Sequence, residues 1–349
     1  TWNSVLSGSG TFAKTGAGRI MLNRQSPAFA GALEIREGTV LVNTGSPFGA
    51  STVVVSSAAA LDVGSPNLGD QGVNVGSNLI VVSGSGPNGR GAIINSSAKS
   101  QYNALVNVAL AGNVVFGGEH ANARWDLRNT TSPCKFLMNG YNVEKVGSNM
   151  VCLTGVNLVE GGTVKIDVKE GTWSSETTTT YLGGSDNLMT VYGGARFDQY
   201  LMSNPFSWKL LMKSGSIYNT RNGSYRSNNN MAGPVELESG SVQFNADSES
   251  YFTGVISGAG RLRKTGGGRI VLENSANAYA GGTQVDGGVL QANLPGALPN
   301  YNQLAGVTVN GGATLSLLYT PTNWPRADLD ALAANMAFSG DGALGFYVD

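Results

Sequence analysis

The sequence has few cysteines, few charged residues and no long hydrophobic run. Two cysteines among 349 residues, Cys134 and Cys152, allow one disulfide at most, so no disulfide framework holds the fold. Charged residues make up 13%, about half the usual share, and the net charge of −1 disfavours nucleic acid as a partner. Apolar runs such as Val53–Val55 are much too short to span a membrane. No signal peptide is recognisable, and we expect the chain to be a fragment of a larger protein.

Glycine, in contrast, is abundant. The 50 glycines are roughly twice the usual share, but proline is scarce at 11 and no glycine period of three is present, which excludes collagen. Apolar residues reach 41%, too many for a disordered chain. Turn-forming and β-branched residues outnumber helix formers, so we expect an all-β protein.

Short segments with alternating apolar and polar residues predict strands along the whole chain. Examples are 33–36, 164–169 and 235–238, where the side chains alternate with a period of two. One segment, 325–336, instead spaces its apolar residues at i, i+3, i+4 and i+7 after Pro325. It predicts one short amphipathic helix near the C-terminus, which would cover the last coil of a stacked fold.

An internal repeat is the strongest signal in the sequence. Residues 8–43 and 257–293 align without a gap, and a weaker copy lies at 143–173. Identical residues stand 250 positions apart in the two good copies: Lys14 and Lys264, Gly16 and Gly266, Arg19 and Arg269, Leu22 and Leu272, Gly31 and Gly281, Gly38 and Gly288. Each copy consists of short strands separated by glycine turns, which must stack on their neighbours to bury an apolar face.

Stacked copies of this kind favour a β-solenoid, and we expect one such domain over residues 1–349. An antiparallel sandwich is the alternative. However, Asn-Gly turns of the hairpin type occur only at 139–140, 222–223 and 310–311, too few to close every strand pair. The two cysteines are 18 residues apart, close to one coil, so they would stack as two buried thiols or as a disulfide.

The two good copies resemble the autotransporter-associated β-strand repeat, also called the passenger-associated transport repeat. In 8–42 the resemblance is carried by GSG, KTGAG, the Leu that follows and GxVxV. In 257–292 it is carried by SGAG, KTGGG and NAYAGGT. The resemblance implies a right-handed parallel β-helix in the secreted or surface-exposed part of a large bacterial protein that is exported across the outer membrane. Members of the family act as adhesins, aggregation factors or stalks, and the repeat itself is non-catalytic.

We therefore expect an autotransporter passenger that serves as a rigid rod for adhesion or display. Its expected partners are a host or environmental glycan, a surface protein or another copy of itself. No nucleic acid, cofactor or metal is expected, and membrane contact is expected only through domains outside this chain.

A β-helix polysaccharide lyase or glycoside hydrolase is the enzymatic alternative. Such enzymes use outward-facing carboxylates and bases, for which Glu236, Glu238 and Asp167 are candidates, whereas His120 lacks the partners of a triad or a metal site. Three or more outward charges that converge in one groove would favour the enzyme, and scattered charges would favour the rod.

A cluster of aromatic and basic residues at 196–226 predicts a ligand-binding surface. Aromatic rings can stack on sugars, and arginine can bind hydroxyls or carboxylates, so carbohydrate or protein binding is expected here. The candidate ligand-binding residues are Trp208, Tyr218, Arg221, Tyr225 and Arg226. The alternative is that the aromatic residues of this cluster fill the core.

Overall fold

The computed structural model describes residues 1–70, 72–128, 134–222 and 228–348. The chain divides into two compact units, Thr1–Gly183 and Gly184–Asp349. The expectation of one continuous domain over 1–349 stays a prediction. Both units consist of short strands that pair side by side with strands of the preceding and following coils.

The first unit contains strands β1 to β17 and a 3₁₀ turn at Pro87–Gly89. The strands are β1 Phe12–Lys14, β2 Arg19–Leu22, β3 Leu33–Ile35, β4 Gly38–Val42, β5 Val53–Val55, β6 Ala59–Asp62, β7 Leu79–Gly84, β8 Ile93–Asn95, β9 Gln101–Leu105, β10 Asn107–Gly118, β11 Arg124–Arg128, β12 Cys134–Leu137, β13 Val143–Lys145, β14 Met150–Thr154, β15 Val156–Val159, β16 Lys165–Val168 and β17 Thr172–Glu176.

The second unit contains strands β18 to β34, a 3₁₀ turn at Pro295–Ala297 and the helix α1, Arg326–Asn335. The strands are β18 Leu188–Val191, β19 Arg196–Tyr200, β20 Lys209–Met212, β21 Ile217–Arg221, β22 Val235–Leu237, β23 Ser241–Ala246, β24 Ser250–Phe252, β25 Ile256–Gly258, β26 Arg261–Thr265, β27 Arg269–Leu272, β28 Ala278–Tyr279, β29 Thr283–Val285, β30 Gly288–Ala292, β31 Val307–Val309, β32 Ala313–Leu318, β33 Ala337–Phe338 and β34 Ala343–Tyr347.

Three parallel ladders run along the first unit. The first ladder is β1–β3–β5–β7–β10–β12–β15, the second is β2–β4–β6–β8–β10–β13–β16, and the third is β9–β11–β14–β17. The long strand β10 belongs to two ladders because its register shifts between Leu110 and Val114. Each coil therefore places its strands on those of the previous coil.

Three parallel ladders also run along the second unit. They are β18–β20–β22–β25–β28, β19–β21–β23–β26–β29–β31–β33 and β24–β27–β30–β32–β34. The expected all-β parallel solenoid is confirmed. The antiparallel sandwich is wrong, because the strand pairs of the described residues are parallel.

The core lies inside the coils, where residues in register form apolar columns. Along the first ladder, the column consists of Leu33, Val53, Ile80, Val108, Phe136 and Leu158, all of which are buried. The side chains between them point outward, as a period of two requires. Burying such a column is the main stabilising contribution available to strands this short.

The expected helix is confirmed in position, since α1 begins directly after Pro325. It does not cover the last coil, because β33 and β34 follow it and pair with β31 and β32. Of its predicted apolar face, Leu332 is buried and Ala333 is exposed. The helix thus lies within a connection between two coils.

The lysine of each repeat copy ties two consecutive coils together. The Nζ atom of Lys145 donates to the carbonyl oxygens of Val146 (2.9 Å), Gly147 (2.7 Å) and Glu170 (3.1 Å). The first two carbonyls belong to the turn after the lysine and the third belongs to the next coil. Three acceptors match the three N–H donors of an ammonium group.

The same arrangement recurs in the other two copies. Lys264 donates to Thr265 (2.8 Å), Gly266 (2.9 Å) and Gly287 (3.0 Å), and Lys14 donates to Thr15, Gly16 and Glu37. Lys145 and Lys264 are wholly buried. Burial lowers the pKa of Lys145 to about 7, against the opposing charge of Glu170, and lowers that of Lys264 to about 8. The carbonyl hydrogen bonds favour the charged form, so they offset part of the desolvation.

We call the lysine, the turn after it and the carbonyl of the next coil a lysine corner. Lysine corners occur at more than one position in the coil. Lys14 ends β1 of the first ladder, and the turn after it leads to β2 of the second ladder. Lys145 ends β13 of the second ladder, and its turn leads to β14 of the third ladder. The same Lys-x-Gly pattern therefore forms two different corners within one unit.

A glycine fixes the approach of the next coil to each lysine corner. Gly38, Gly171 and Gly288 occupy the same place in the three copies and have φ angles of 66°, 65° and 58°. A Cβ atom on any of them would lie 2.3 to 2.5 Å from a carbonyl oxygen of the preceding coil. Only glycine satisfies both the left-handed backbone and this contact.

We predict that Gly288→Ala lowers the free energy of unfolding by about 3 kcal/mol, since strain at positive φ adds to the steric clash with the preceding turn. Gly194→Ala is the matched control, because Gly194 has a φ of 82° but open space at its Cβ position. It should lose only about 1 kcal/mol. Chemical denaturation measures both values, and equal losses would show that the coil contact is unimportant.

We also predict that Lys145→Met lowers the free energy of unfolding by about 2 to 3 kcal/mol. Methionine fills a similar volume but leaves the three carbonyl oxygens without their donor. Lys165→Met, at an exposed position of β16, should change stability by less than about 0.5 kcal/mol. Urea titration of both variants tests this, and an unchanged stability of Lys145→Met would contradict the proposed role of the ammonium group.

Candidate binding groove

A groove of about 670 Å³ lies on the outer side of the first unit. Its floor follows the second ladder, where Arg19, Thr39 and Ala60 are partners in register on β2, β4 and β6. It continues past Gly118 of β10 to Glu170, after β16. A second cavity of about 340 Å³ adjoins it and shares Arg19 and Ser96 with it.

One wall of the groove is the loop 86–91, which includes the 3₁₀ turn. Gly86, Asn88, Gly89 and Gly91 all have positive φ angles, so the loop folds tightly. A Cβ atom on Gly86 would lie 2.0 Å from the carbonyl oxygen of Gly91, which explains the glycine there. The loop brings Asn88 and Arg90 to the groove as exposed side chains.

Each of the three carboxylates of the groove already has a hydrogen-bond or ion-pair partner in the protein. Asp62 is buried and accepts hydrogen bonds from the amides of Gly64 (2.8 Å) and Ser96 (3.1 Å) and from the Ser96 hydroxyl (2.6 Å). Burial raises its pKa, and these hydrogen bonds oppose the shift. Glu119 pairs with Arg90 at 2.7 Å. The Oε2 atom of Glu170 accepts from the amide of Gly147 at 2.8 Å.

Arg19 differs from the other charged groups of the groove. It is exposed, and no carboxylate among the described residues lies within ion-pairing distance of it, although its charge helps to oppose the rise in the pKa of Asp62. Its repeat counterpart Arg269 donates to Gln291 at 3.1 Å. Leu41 stands where Gln291 stands in the other copy, so this partner is missing at Arg19.

Five charged residues thus converge in the groove, which meets the number given above as favouring an enzyme. The three carboxylates are bound to backbone amides, to the Ser96 hydroxyl or to Arg90, so they do not form a catalytic acid and base. The carboxylates considered for catalysis lie elsewhere, and two of them are neutralised by the preceding coil. Glu236 pairs with Lys209 at 2.7 Å and Glu238 pairs with Lys213 at 2.5 Å. His120 is exposed in a turn closed by the amide of Ala123. No group of three or more His, Cys, Asp or Glu side chains in the described part of the chain could hold a metal ion.

The ligand-binding surface expected at 196–226 is wrong for two of its residues. Trp208 is 1% exposed and Tyr218 is wholly buried, so neither ring offers a face to a ligand. The ring of Tyr218 packs between Phe197 and Phe244, and its hydroxyl donates to Gln199 at 2.6 Å. These aromatic residues fill the core, which was the alternative interpretation.

The alternation of buried and exposed residues along β20 could have predicted the burial of Trp208. Trp208 has the same parity as Leu210 and Met212, the buried residues of β20, and the opposite parity to Lys209 and Lys213. The period of two therefore predicts that the side chain of Trp208 points into the core.

The other predicted site residues have different outcomes. Arg221 is half-buried, 3.6 Å from Asp198 and over the ring of Tyr200, and it stays a candidate contact. Tyr225 and Arg226 lie outside the described residues. The groove around Arg19 was not predicted, because the residues that form it are up to 151 positions apart in the sequence.

The two cysteines are free and buried. Cys134 lies in the first ladder opposite Val156, whereas Cys152 lies in the third ladder between Asp126 and Ser174. The expectation that they stack on each other, or form a disulfide, is therefore wrong, because 18 residues do not complete a coil here. Burial raises the pKa of Cys134 to about 12 and raises that of Cys152 well above its usual value.

We predict that neither cysteine reacts with iodoacetamide at pH 8 in the native protein, because both thiols are buried and protonated. Both should react after unfolding in guanidinium chloride without a reductant, as counted by mass spectrometry. Ser7→Cys, at an exposed position, is the positive control for native labelling. A chain that needs reduction before labelling would contradict the free thiols.

Comparison with known proteins agrees with the repeat analysis. Residues 262–292 match the model of the passenger-associated transport repeat. A stretch of 97 residues is 40% identical to the adhesin BmaC autotransporter of Brucella suis biovar 1 (strain 1330), and covers 27% of this chain and 2% of that adhesin. No solved structure matches the chain significantly. In the described part of the chain, no helix has both the length and the apolar character to cross a membrane. The resemblance expected from the sequence is confirmed.

Proposed function

We propose that this chain is part of an autotransporter passenger and is a non-catalytic module for adhesion or display. The observation that carries the proposal is that the outward-facing carboxylates form ion pairs between coils or accept hydrogen bonds from the backbone. Lys209–Glu236 and Lys213–Glu238 are ion pairs between consecutive coils, and the carboxylates of the groove bind backbone amides or Arg90. Such charges stabilise and solubilise a coil stack, and they are not placed as an acid and a base.

The similarity to an adhesin supports the same role. The matched segment is only 2% of that adhesin, so its binding properties come to this chain as a proposal. From the match to a passenger-associated transport repeat and to an autotransporter adhesin, we infer that this chain acts outside the cell, either secreted or on the bacterial surface. Its partner would be a glycan, a surface protein or another copy of the chain.

We expect beads coated with the chain to bind cultured epithelial cells several-fold better than beads coated with albumin, and the soluble chain to compete. Treating the cells with periodate or with protease separates a glycan partner from a protein partner, and sedimentation of the chain tests self-association. Coated beads that bind no better than albumin beads, together with a monomeric chain, would contradict adhesion.

The non-catalytic part of the proposal has its own test. A panel of polysaccharides incubated with the chain should give neither new reducing ends nor unsaturated products. Depolymerisation that co-purifies with the chain would overturn this part in favour of a lyase or a hydrolase.

A further inference from the structure

We propose that an apolar stripe on the outer face of the first ladder pairs with the same stripe of a second copy of the chain. This inference rests on the proposed adhesive function, because it chooses one of the partners considered there and locates the contact. It depends on the register of five side chains, on the strands that carry them and on their sizes.

The stripe consists of one outward-facing side chain from each of five consecutive strands of the first ladder. In register, these are Val54 of β5, Val81 of β7, Ala109 of β10, Leu137 of β12 and Val159 of β15. Ala109 is 8% exposed, Val159 is 44% exposed and the other three are half-buried. At about 4.8 Å per strand, the stripe is straight and about 19 Å long.

A ladder of the second unit has a different outer face. One of its outward columns consists of Thr190, Leu211, Glu236, Ser257 and Ala278. Glu236 forms an ion pair with Lys209 of the preceding coil. Polar and charged groups of this kind interrupt an apolar surface and keep it soluble. The five residues of the stripe include no polar group, and a contiguous apolar patch on a protein surface marks a contact site.

The spacing of the stripe selects another coil stack as its partner. The strands that carry it are paired on both edges, so a peptide cannot extend the sheet here. A helix repeats every 5.4 Å or so, and over five strands it would drift by about half a strand spacing. A parallel coil stack has the same repeat of about 4.8 Å and can match every position. A second copy of the chain is such a stack, and it brings an apolar stripe of equal length.

The side-chain sizes favour two copies that lie in opposite directions. The order Val, Val, Ala, Leu, Val is nearly symmetric about Ala109. When the two Ala109 side chains face each other, Val81 faces Leu137 and Val54 faces Val159, so the two surfaces pack evenly. In the same direction, the two Leu137 side chains would meet beside the two Ala109 side chains, and a gap would remain there.

The column beside the stripe fits the same arrangement. In register, it consists of Leu79, Asn107, Lys135, Asn157 and Tyr181. Leu79 and Tyr181 are 37% and 50% exposed, so they widen the apolar face at its two ends. With the copies in opposite directions, Lys135 faces Leu79, and the two lysines stay about 10 Å apart along the stripe.

The area of the stripe predicts a weak pair. With one column on each side, the face measures about 19 Å by 14 Å, or roughly 300 Å² per copy. A stable interface buries about 800 Å² per partner. The chain should therefore stay monomeric in dilute solution and pair where many copies are displayed close together, because linked contacts reinforce one another.

The test is the clumping of beads coated with the full chain. Parent beads should clump, and Val81→Lys or Leu137→Glu should reduce clumping at least tenfold, because each places an unpaired charge in the stripe. Both positions face outward, so the melting temperature should not change. Leu211→Lys is the matched control, since Leu211 is a half-buried outward residue of β20 in the second unit, and it should clump like the parent.

Mixing the two variants tests whether the stripe meets another copy of itself. Val81→Lys beads of one colour and Leu137→Glu beads of another should form mixed clumps, because the two new charges are opposite and face each other. Clumps of a single colour should stay rare. Mixed beads that do not clump would overturn the pairing of Val81 with Leu137.

Three other results would overturn the stripe itself. These are parent beads that do not clump, parent-like clumping of Val81→Lys alone, and a melting temperature that falls in both variants while the mixture does not recover. Parent beads that bind phosphatidylcholine vesicles but do not clump would assign the stripe to a lipid surface and would also overturn the pairing of copies.

Failure of this inference can be told apart from failure of the proposed function. If coated beads bind cells but do not clump, adhesion stands and the stripe assignment is wrong. If beads clump through the stripe while the chain depolymerises a polysaccharide, the pairing stands and the non-catalytic function is wrong.

Discussion

Backbone hydrogen bonding between consecutive coils is the interaction on which the rest of this structure depends. A strand of three residues, such as β1, buries too little apolar surface to be stable by itself. Pairing with the coils before and after it satisfies its backbone and completes an apolar column. The strand spacing that results fixes where glycine is required, as at Gly288, and lets one lysine side chain reach carbonyls of two coils.

Much of this architecture could be predicted from the sequence, because the alternation of side chains and the glycine corners are local. The segment 33–36 predicted β3, and the 3.6-residue spacing after Pro325 predicted α1. The burial of Lys145 could not be predicted in the same way. Lysine is normally exposed, and the acceptor that completes its set, the carbonyl of Glu170, lies 25 residues away on another coil.

The candidate site was harder to predict because it is formed by stacking. The aromatic and basic composition of 196–226 predicted a ligand surface there, yet Trp208 and Tyr218 point into the core. The alternation of side chains along the strands could have predicted this burial, whereas the number of aromatic residues could not. The groove instead combines Arg19 with a glycine-rich loop at 86–91 and with Glu170, and its residues become neighbours only when seven strands are laid side by side. Nothing in the local sequence of Arg19 separates it from Arg269.

The lysine corner has a consequence for how such chains can grow. The lysine needs only carbonyl oxygens of its own turn and one of the coil that stacks on it, so it does not need a particular position in the coil. Lys14 and Lys145 accordingly turn the chain between different pairs of ladders. The period of the sequence repeat is therefore independent of the period of the coil. Duplication of a short segment can add a bend out of phase with the existing ones, and coils of unequal length, such as the 20 residues from Leu33 to Val53 and the 27 from Val53 to Ile80, remain stackable.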